Sequence, residues 1–193
     1  MKLPILAVAY LTFSAFLINP AFAKKKAKAK PAKDATDIWL VSQTKSLMND
    51  APEYFAMQVL GRANKMSISC YEGKVKLLFS FDELLFDVYQ VGYRFDKDAA
   101  IISVPNSEAY DGTYIDGLAW TMSSDSKSMG LWDVENVTKF SENFKNHAML
   151  TVEIKHKYGA ATAIFLLRDA AKHVGKAIET CKITEPSENK PPE

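Results

Sequence analysis

The chain has 193 residues, and its 24 Lys and Arg stand against 23 Asp and Glu for a formal net charge of +1. That balance argues against a nucleic-acid binder, which needs a basic stripe on its folded part. The length suits one domain built on one core.

Residues 1–23 read as a secretory signal. Lys2 supplies a short positive start, Leu3 to Ile18 is almost wholly apolar, Pro20 breaks the helix, and Ala21-Phe22-Ala23 offers the small residues a signal peptidase accepts. An uncleaved anchor is the rival reading, because the segment is just long enough to span a bilayer. Lys24, Lys25, Lys26, Lys28, Lys30 and Lys33 follow the apolar run, a charge bias that opposes simple export. The small-x-small site after a proline break outweighs it, so cleavage after Ala23 and a periplasmic location are the expectation. The stretch 24–36 holds no apolar residue larger than Ala and reads as a disordered spacer. Membrane contact is limited to Lys24–Lys33, which suit anionic lipid.

The folded domain is expected over 37–182, with a disordered polar tail over 183–193. Asp37 to Asp50 fits a short strand with a turn, or a helix. In Glu53–Arg62 the alternation of Phe55, Met57 and Val59 leans towards a strand. Met66–Tyr71 and Lys74–Phe81 alternate on either side of Glu72-Gly73, which predicts a hairpin. Tyr89–Asp96 alternates too, with Val91, Tyr93 and Phe95 inward and Gly92, Arg94 and Asp96 outward. Ile101–Val104 and Leu118–Met122 read as strands, with turns at Pro105-Asn106 and Asp111-Gly112. Ser123 to Gly130 reads as a polar loop. Asp133 is placed to cap a helix starting at Val134, with Val137, Phe140 and Phe144 on its apolar side. Met149–His156 and Ala160–Leu166 read as strands. A closing helix from Arg168 to Lys182 carries the stripe Ala170, Ala171, Val174, Ala177, Ile178, Cys181. The sum is an α+β domain: a largely antiparallel β-sheet or small sandwich packed by a middle helix and a C-terminal helix.

The two cysteines form an even set for an oxidising compartment. Cys70 shares a strand face with Met66 and Ile68, and Cys181 lies on the last helix's stripe, so both point inward and a disulfide between them is expected.

The residues do not disclose a reaction. His147, His156 and His173 sit on three elements with no metal-ligand spacing, and each reads as a surface or boundary residue. No Gly-x-Ser-x-Gly elbow and no glycine-rich phosphate loop occurs, so neither metal nor cofactor is expected. Asp82, Glu83 and Asp87 read as an acidic loop. Arg94 and Asp96 on the outer strand face serve either as an ion pair with cross-strand neighbours or as part of a recognition surface. Trp120 and Trp132, flanking the polar loop, are either both core anchors or one of them is exposed; the four make the candidate interaction surface. Arg suits a planar anionic partner, and an exposed Trp makes an interface hot spot.

With those residues in view, the chain resembles the VasI (TagO) family of type VI secretion-associated proteins. The resemblance runs from about Ile38 to Lys182. It rests on Trp39-Leu40-Val41-Ser42 with Lys45-Ser46-Leu47-Met48-Asn49-Asp50, on Ile68-Ser69-Cys70-Tyr71-Glu72-Gly73-Lys74, and above all on Val91-Gly92-Tyr93-Arg94-Phe95-Asp96. Trp120 before Ser123-Ser124, the Leu150–Ile154 and Phe165 strands and the closing helix with Cys181 complete the ordered set. Lys157-Tyr158-Gly159 departs from the family's Pro-Tyr-Gly. The resemblance implies a non-enzymatic accessory protein of the envelope, with an envelope or secretion-system protein as partner. The alternative carried by the residues is a small-ligand or glycan-binding module, or a hydrolase using Asp or Glu.

Overall fold

Strict alternation of apolar and polar side chains generates most of the sheet structure. The computed structural model describes residues 39–46, 48, 50–60, 64–105 and 114–183. The leader expected over 1–23, the spacer expected over 24–36, the turns expected at Asn106 and Asp111-Gly112, and the tail expected beyond Ile183 lie outside the described residues. Among those described, ten strands form two antiparallel sheets.

The first sheet has six strands in the order β1-β2-β3-β4-β8-β7. Its members are β1 (Trp39–Lys45), β2 (Pro52–Leu60), β3 (Asn64–Tyr71), β4 (Lys74–Ser80), β7 (Trp120–Met122) and β8 (Ser128–Leu131). The β3–β4 hairpin turns on Glu72 and Gly73, whose φ angles of 50° and 71° are the left-handed pair a two-residue hairpin needs. The second sheet runs β10-β9-β5-β6, from β5 (Gln90–Phe95), β6 (Ile101–Ser103), β9 (Met149–His156) and β10 (Gly159–Leu166). The fold is α+β.

Met66, Ile68, Val75, Leu77 and Phe79 from the first sheet are buried with Val91, Tyr93, Phe95, Leu150, Val152, Ile154 and Phe165 from the second. Rings carry the junction. Phe79 lies 5.3 Å from Phe165 between centroids, and Trp120 lies 5.9 Å from Tyr93. Helix α1 (Val134–Ser141) adds Phe140, 5.0 Å from Tyr93 and 6.1 Å from Phe79. Such contacts add about 0.5–1.5 kcal/mol per pair beyond the area they bury. Asp133 caps α1 as expected, accepting from the Asn136 backbone N–H at 2.7 Å. A 3₁₀ turn (Glu142–Lys145) then brings Phe144 inward.

One buried amide joins the two sheets. Gln58 Nε2 donates to the Leu166 carbonyl at 3.0 Å, and its Oε1 accepts from the Leu166 N–H at 3.3 Å. The side chain thus takes both backbone groups of a β10 residue, as a neighbouring strand would.

Helix α2 (Ala170–Ile183) packs on β2, β3 and β4. Two links hold it there. Cys181 is bonded to Cys70 of β3 with a Cα–Cα distance of 5.5 Å, and His173 Nδ1 lies 2.5 Å from the buried Tyr54 hydroxyl.

Several expectations are corrected. Ser123–Gly130 is not a loop throughout: Ser128–Leu131 is strand β8, pairing with both β4 and β7. All four of its residues are buried, so the strand lacks the alternation that would reveal it. Ser128 Oγ bonds Ser80 Oγ at 2.8 Å, and at Gly130 an added Cβ would run into the Leu77 carbonyl oxygen. In β2 the alternation is real, but the core face is Tyr54, Ala56 and Gln58, with Phe55 exposed. Asp37–Asp50, left open between strand and helix, supplies strand β1. His156 and His173 are buried, not surface residues.

Closing the 111-residue separation between Cys70 and Cys181 removes chain entropy from the unfolded state; for such a loop the effect approaches about 4–5 kcal/mol. A denaturant melt with and without reductant will show a loss up to that size, and amide exchange under reductant will accelerate in α2 before the second sheet. Uniform acceleration would contradict this anchoring. His173 gives α2 a pH dependence as well. Burial pushes its pKa below the ordinary histidine value, with Asp169 opposing and Lys172 reinforcing. The unfolded chain therefore binds a proton first as pH falls, and stability present above about pH 6.5 declines below it. Thermal melts from pH 7.5 to 5 will show a steeper decline for the native chain than for His173→Gln.

Candidate functional site

The segment joining β4 to β5 crosses from one sheet to the other and contains the run Leu84-Leu85-Phe86. Of these three adjacent apolar residues only the middle one is buried. Phe81 and Leu85 are the buried anchors, while Leu84, Phe86 and Tyr89 are exposed.

Backbone bonds fix this segment from both sides. The Phe81 and Leu85 N–H groups donate to the carbonyls of Lys127 and Ser126 in the β7–β8 turn, at 2.9 and 2.7 Å. On the other flank the Lys157 N–H donates to the Phe86 carbonyl at 2.8 Å, and the Tyr89 N–H to the Lys155 carbonyl at 3.1 Å. Asp87 takes a left-handed φ of 47°, which Asp tolerates better than most residues, and its carboxylate lies 3.6 Å from Lys157 Nζ. The β7–β8 turn is itself braced: the Asp125 carboxylate accepts from the N–H groups of Lys127 and Ser128 and from the Ser123 hydroxyl. Those bonds hold Asp125 below the usual carboxylate range, the Ser123 hydroxyl first among them and burial opposing.

The result is a fixed apolar platform. Phe86 is 42% exposed and Tyr158, in the β9–β10 turn, is 71% exposed. Their rings meet edge to face at 5.6 Å between centroids. Glu83, Asp87 and Lys157, in the same segment and turn, are exposed, giving a polar rim to an aromatic centre. Beneath lies His156, 3% exposed. Among the described residues its ring nitrogens meet no hydrogen-bond partner, and Nε2 is 3.7 Å from the Glu83 carboxylate.

The four residues expected to form an interaction surface do not come together. Trp120 is 4% exposed and lies in the core, its Nε1 donating to Asp116 Oδ2 at 3.2 Å. Asp96 leaves the strand with a φ of 46°, and its carboxylate accepts from the N–H groups of Ala148 and Met149 at 3.1 and 2.8 Å, with His147 Nδ1 at 3.2 Å. Burial raises its pKa, but those three partners outweigh it and hold the carboxyl below its ordinary value. Asp96 thus ties β5 to the start of β9. Arg94 is exposed on the outer face of the second sheet and lines a trough of about 340 Å³ with Gly92, Gln90, Glu153 and Lys155. Trp132 is half-buried, with Lys76 Nζ 4.6 Å above its ring. It lines a groove of about 610 Å³ with Val134, Ile178 and Cys181.

Acidic groups are dispersed. Asp82 and Asp87 sit in the β4–β5 segment, while Asp96, Asp116, Asp125 and Asp133 each accept backbone N–H groups at different turns or caps. Among the described residues no three His, Cys, Asp or Glu side chains gather as a metal-binding set, and no helix is long and apolar enough to cross a membrane. No protein-family model, curated protein or solved structure matches the chain.

Anchor and display residues of the platform separate on substitution. Leu85→Ala will cost about 2–5 kcal/mol, as for other buried leucines, whereas Phe86→Ser and Tyr158→Ser will stay within about 1 kcal/mol. Chemical denaturation of the three variants measures this contrast, and a Phe86→Ser loss equal to that of Leu85→Ala would show that the platform is core.

Proposed function

We propose that the protein is a non-enzymatic interaction protein of the periplasm, which binds an envelope protein through the Leu84, Phe86 and Tyr158 platform. The observation that carries this reading is the platform itself: large apolar side chains held outward by a segment whose backbone is pinned on both flanks. Rigid presentation lowers the entropy lost on binding, and aromatic residues within a polar rim are the usual composition of an interface centre.

Other observations support the setting. A disulfide between β3 and the last helix suits an oxidising compartment, in keeping with a signal peptide cleaved after Ala23. Asp96, Asp116, Asp125 and Asp133 hold turns and caps, which favours binding over acid–base chemistry as the work of this surface. The resemblance to the VasI (TagO) family makes the partner, in this reading, a component of a type VI secretion machine, with the chain as its accessory.

A second reading has one specific observation in its favour. The trough beside Gly92, lined by Tyr93, Ala100 and Ile102 with Arg94, Gln90, Glu153 and Lys155 as its polar groups, has the size and the mixed lining of a small-ligand site. In this reading the protein is a periplasmic ligand-binding or glycan-binding module.

Photo-crosslinking from positions 86 and 158 in the native host, with the adduct identified by mass spectrometry, separates the two. The first reading predicts one dominant envelope adduct, lost in Phe86→Glu and Tyr158→Glu while the purified variants keep native melting temperatures. A secretion-machine component in that adduct, with reduced secretion on deleting the gene, supports the accessory role. No adduct, or an adduct unaffected by the substitutions, overturns the platform reading. Binding of glycans that is lost in Arg94→Ala favours the second.

A further inference from the structure

Four strands end the two sheets: β1 and β7 in the first, β10 and β6 in the second. Three are protected in familiar ways. Strands β6 and β7 have three residues each, and β1 carries Lys45 after Ser42, Gln43 and Thr44. Strand β10 is different. Its eight residues, Gly-Ala-Ala-Thr-Ala-Ile-Phe-Leu, include no charge and no proline, and it pairs with β9 without a bulge. A long, regular, uncharged edge is a template for another strand.

The register tells which groups are free. The two-residue turn Lys157-Tyr158 pairs Gly159 with His156, so Gly159, Ala161, Ala163 and Phe165 spend their backbone groups on β9. The N–H and C=O groups of Ala160, Thr162, Ile164 and Leu166 point to the open edge. Those of Leu166 are taken by Gln58. Ala160, Thr162 and Ile164 are exposed, Ile164 by 55%, and among the described residues none of their backbone groups meets a partner on that side.

We propose that this edge pairs with β10 of a second copy, antiparallel about a two-fold axis at Thr162, merging two four-stranded sheets into one continuous sheet. The edge is complementary to itself, which favours a second copy as the occupant. In this register Thr162 faces its own symmetry mate, and Ala160 of each chain faces Ile164 of the other. Every free N–H then meets a free C=O, and the Gln58 clamp marks where pairing stops. Thr opposite Thr is a favourable cross-strand pair, and Ala opposite Ile sets no like charges together. The next row inward carries Glu153 beside Thr162 and Lys155 beside Ala160, so no like charges stand directly opposite across the new junction. The contact is isologous and closes as a dimer.

The test uses the full exported chain with its native disulfide. Sedimentation or light scattering across a concentration series is expected to show a monomer–dimer equilibrium, with amide protection at 160, 162 and 164 rising as dimer forms. Thr162→Cys is expected to link covalently under mild oxidation, since directly opposed Cα atoms in such a pair lie about 5.5 Å apart, within disulfide reach. Ile164→Cys is expected not to link to itself, because its mate is displaced by four residues, about 13 Å along the strand. Thr162→Lys, which sets two like charges face to face, is expected to give monomer only, while Phe86→Glu leaves the dimer intact. A monomer at every attainable concentration overturns the proposal, as does a dimer indifferent to Thr162→Lys. Self-linking of Ile164→Cys overturns the register, and a dimer lost in Phe86→Glu assigns the contact to the platform instead.

Discussion

Everything in the domain is arranged around the ring of Phe79. From the inner face of β4 it meets Phe165 of the opposite sheet, Trp120 of β7 and Phe140 of α1. Tyr93 and Phe95 extend the cluster along β5. Two sheets and a helix therefore share one aromatic junction, and its close packing sets the distance between the layers. The polar features of the core follow from that spacing. Gln58 reaches β10 only because the sheets are held at this separation, and the β4–β5 segment must span the same gap.

Legibility in the sequence followed the physics of half-burial. Val75, Leu77 and Phe79 alternate with solvent-facing residues, as do Leu150, Val152 and Ile154, and in both strands element and face were readable. The cysteine pair was readable for the same reason, because each residue's face was set by its own element's period. Strand β8 was not readable. Burial of all four of its residues removes the period-two signal, and Ser and Gly there suit a strand only because of partners supplied by β4. In β2 the alternation was visible, but the two faces compete: Phe55, Met57 and Val59 look more apolar than Tyr54, Ala56 and Gln58. The buried polar atoms of the latter find partners that the sequence does not show.

The candidate surface was harder to read than the fold. Trp120 is of a type common at interface centres and Asp96 reads as an outward strand residue, yet one fills the core and the other holds a turn. Residue type says what a side chain is able to contact, and only the fold says what it does contact. The platform did leave a trace in Leu84-Leu85-Phe86, an apolar run beside Asp82, Glu83 and Asp87 in a segment between two strands, where only Leu85 of the three is buried. Tyr158 joins it through the β9–β10 turn, a contact between positions 72 residues apart in the chain that no local pattern records.

The bond between Cys70 and Cys181 has a topological meaning beyond stability. Every element from β4 to α2 lies inside one covalent ring. A single proteolytic nick in any turn of that ring, the β7–β8 turn included, leaves both fragments tethered, so a cut that would divide a linear chain only opens a loop in this one. The same ring cannot close until the last helix has been delivered to the sheet, which makes the bond a covalent record that the whole domain has assembled.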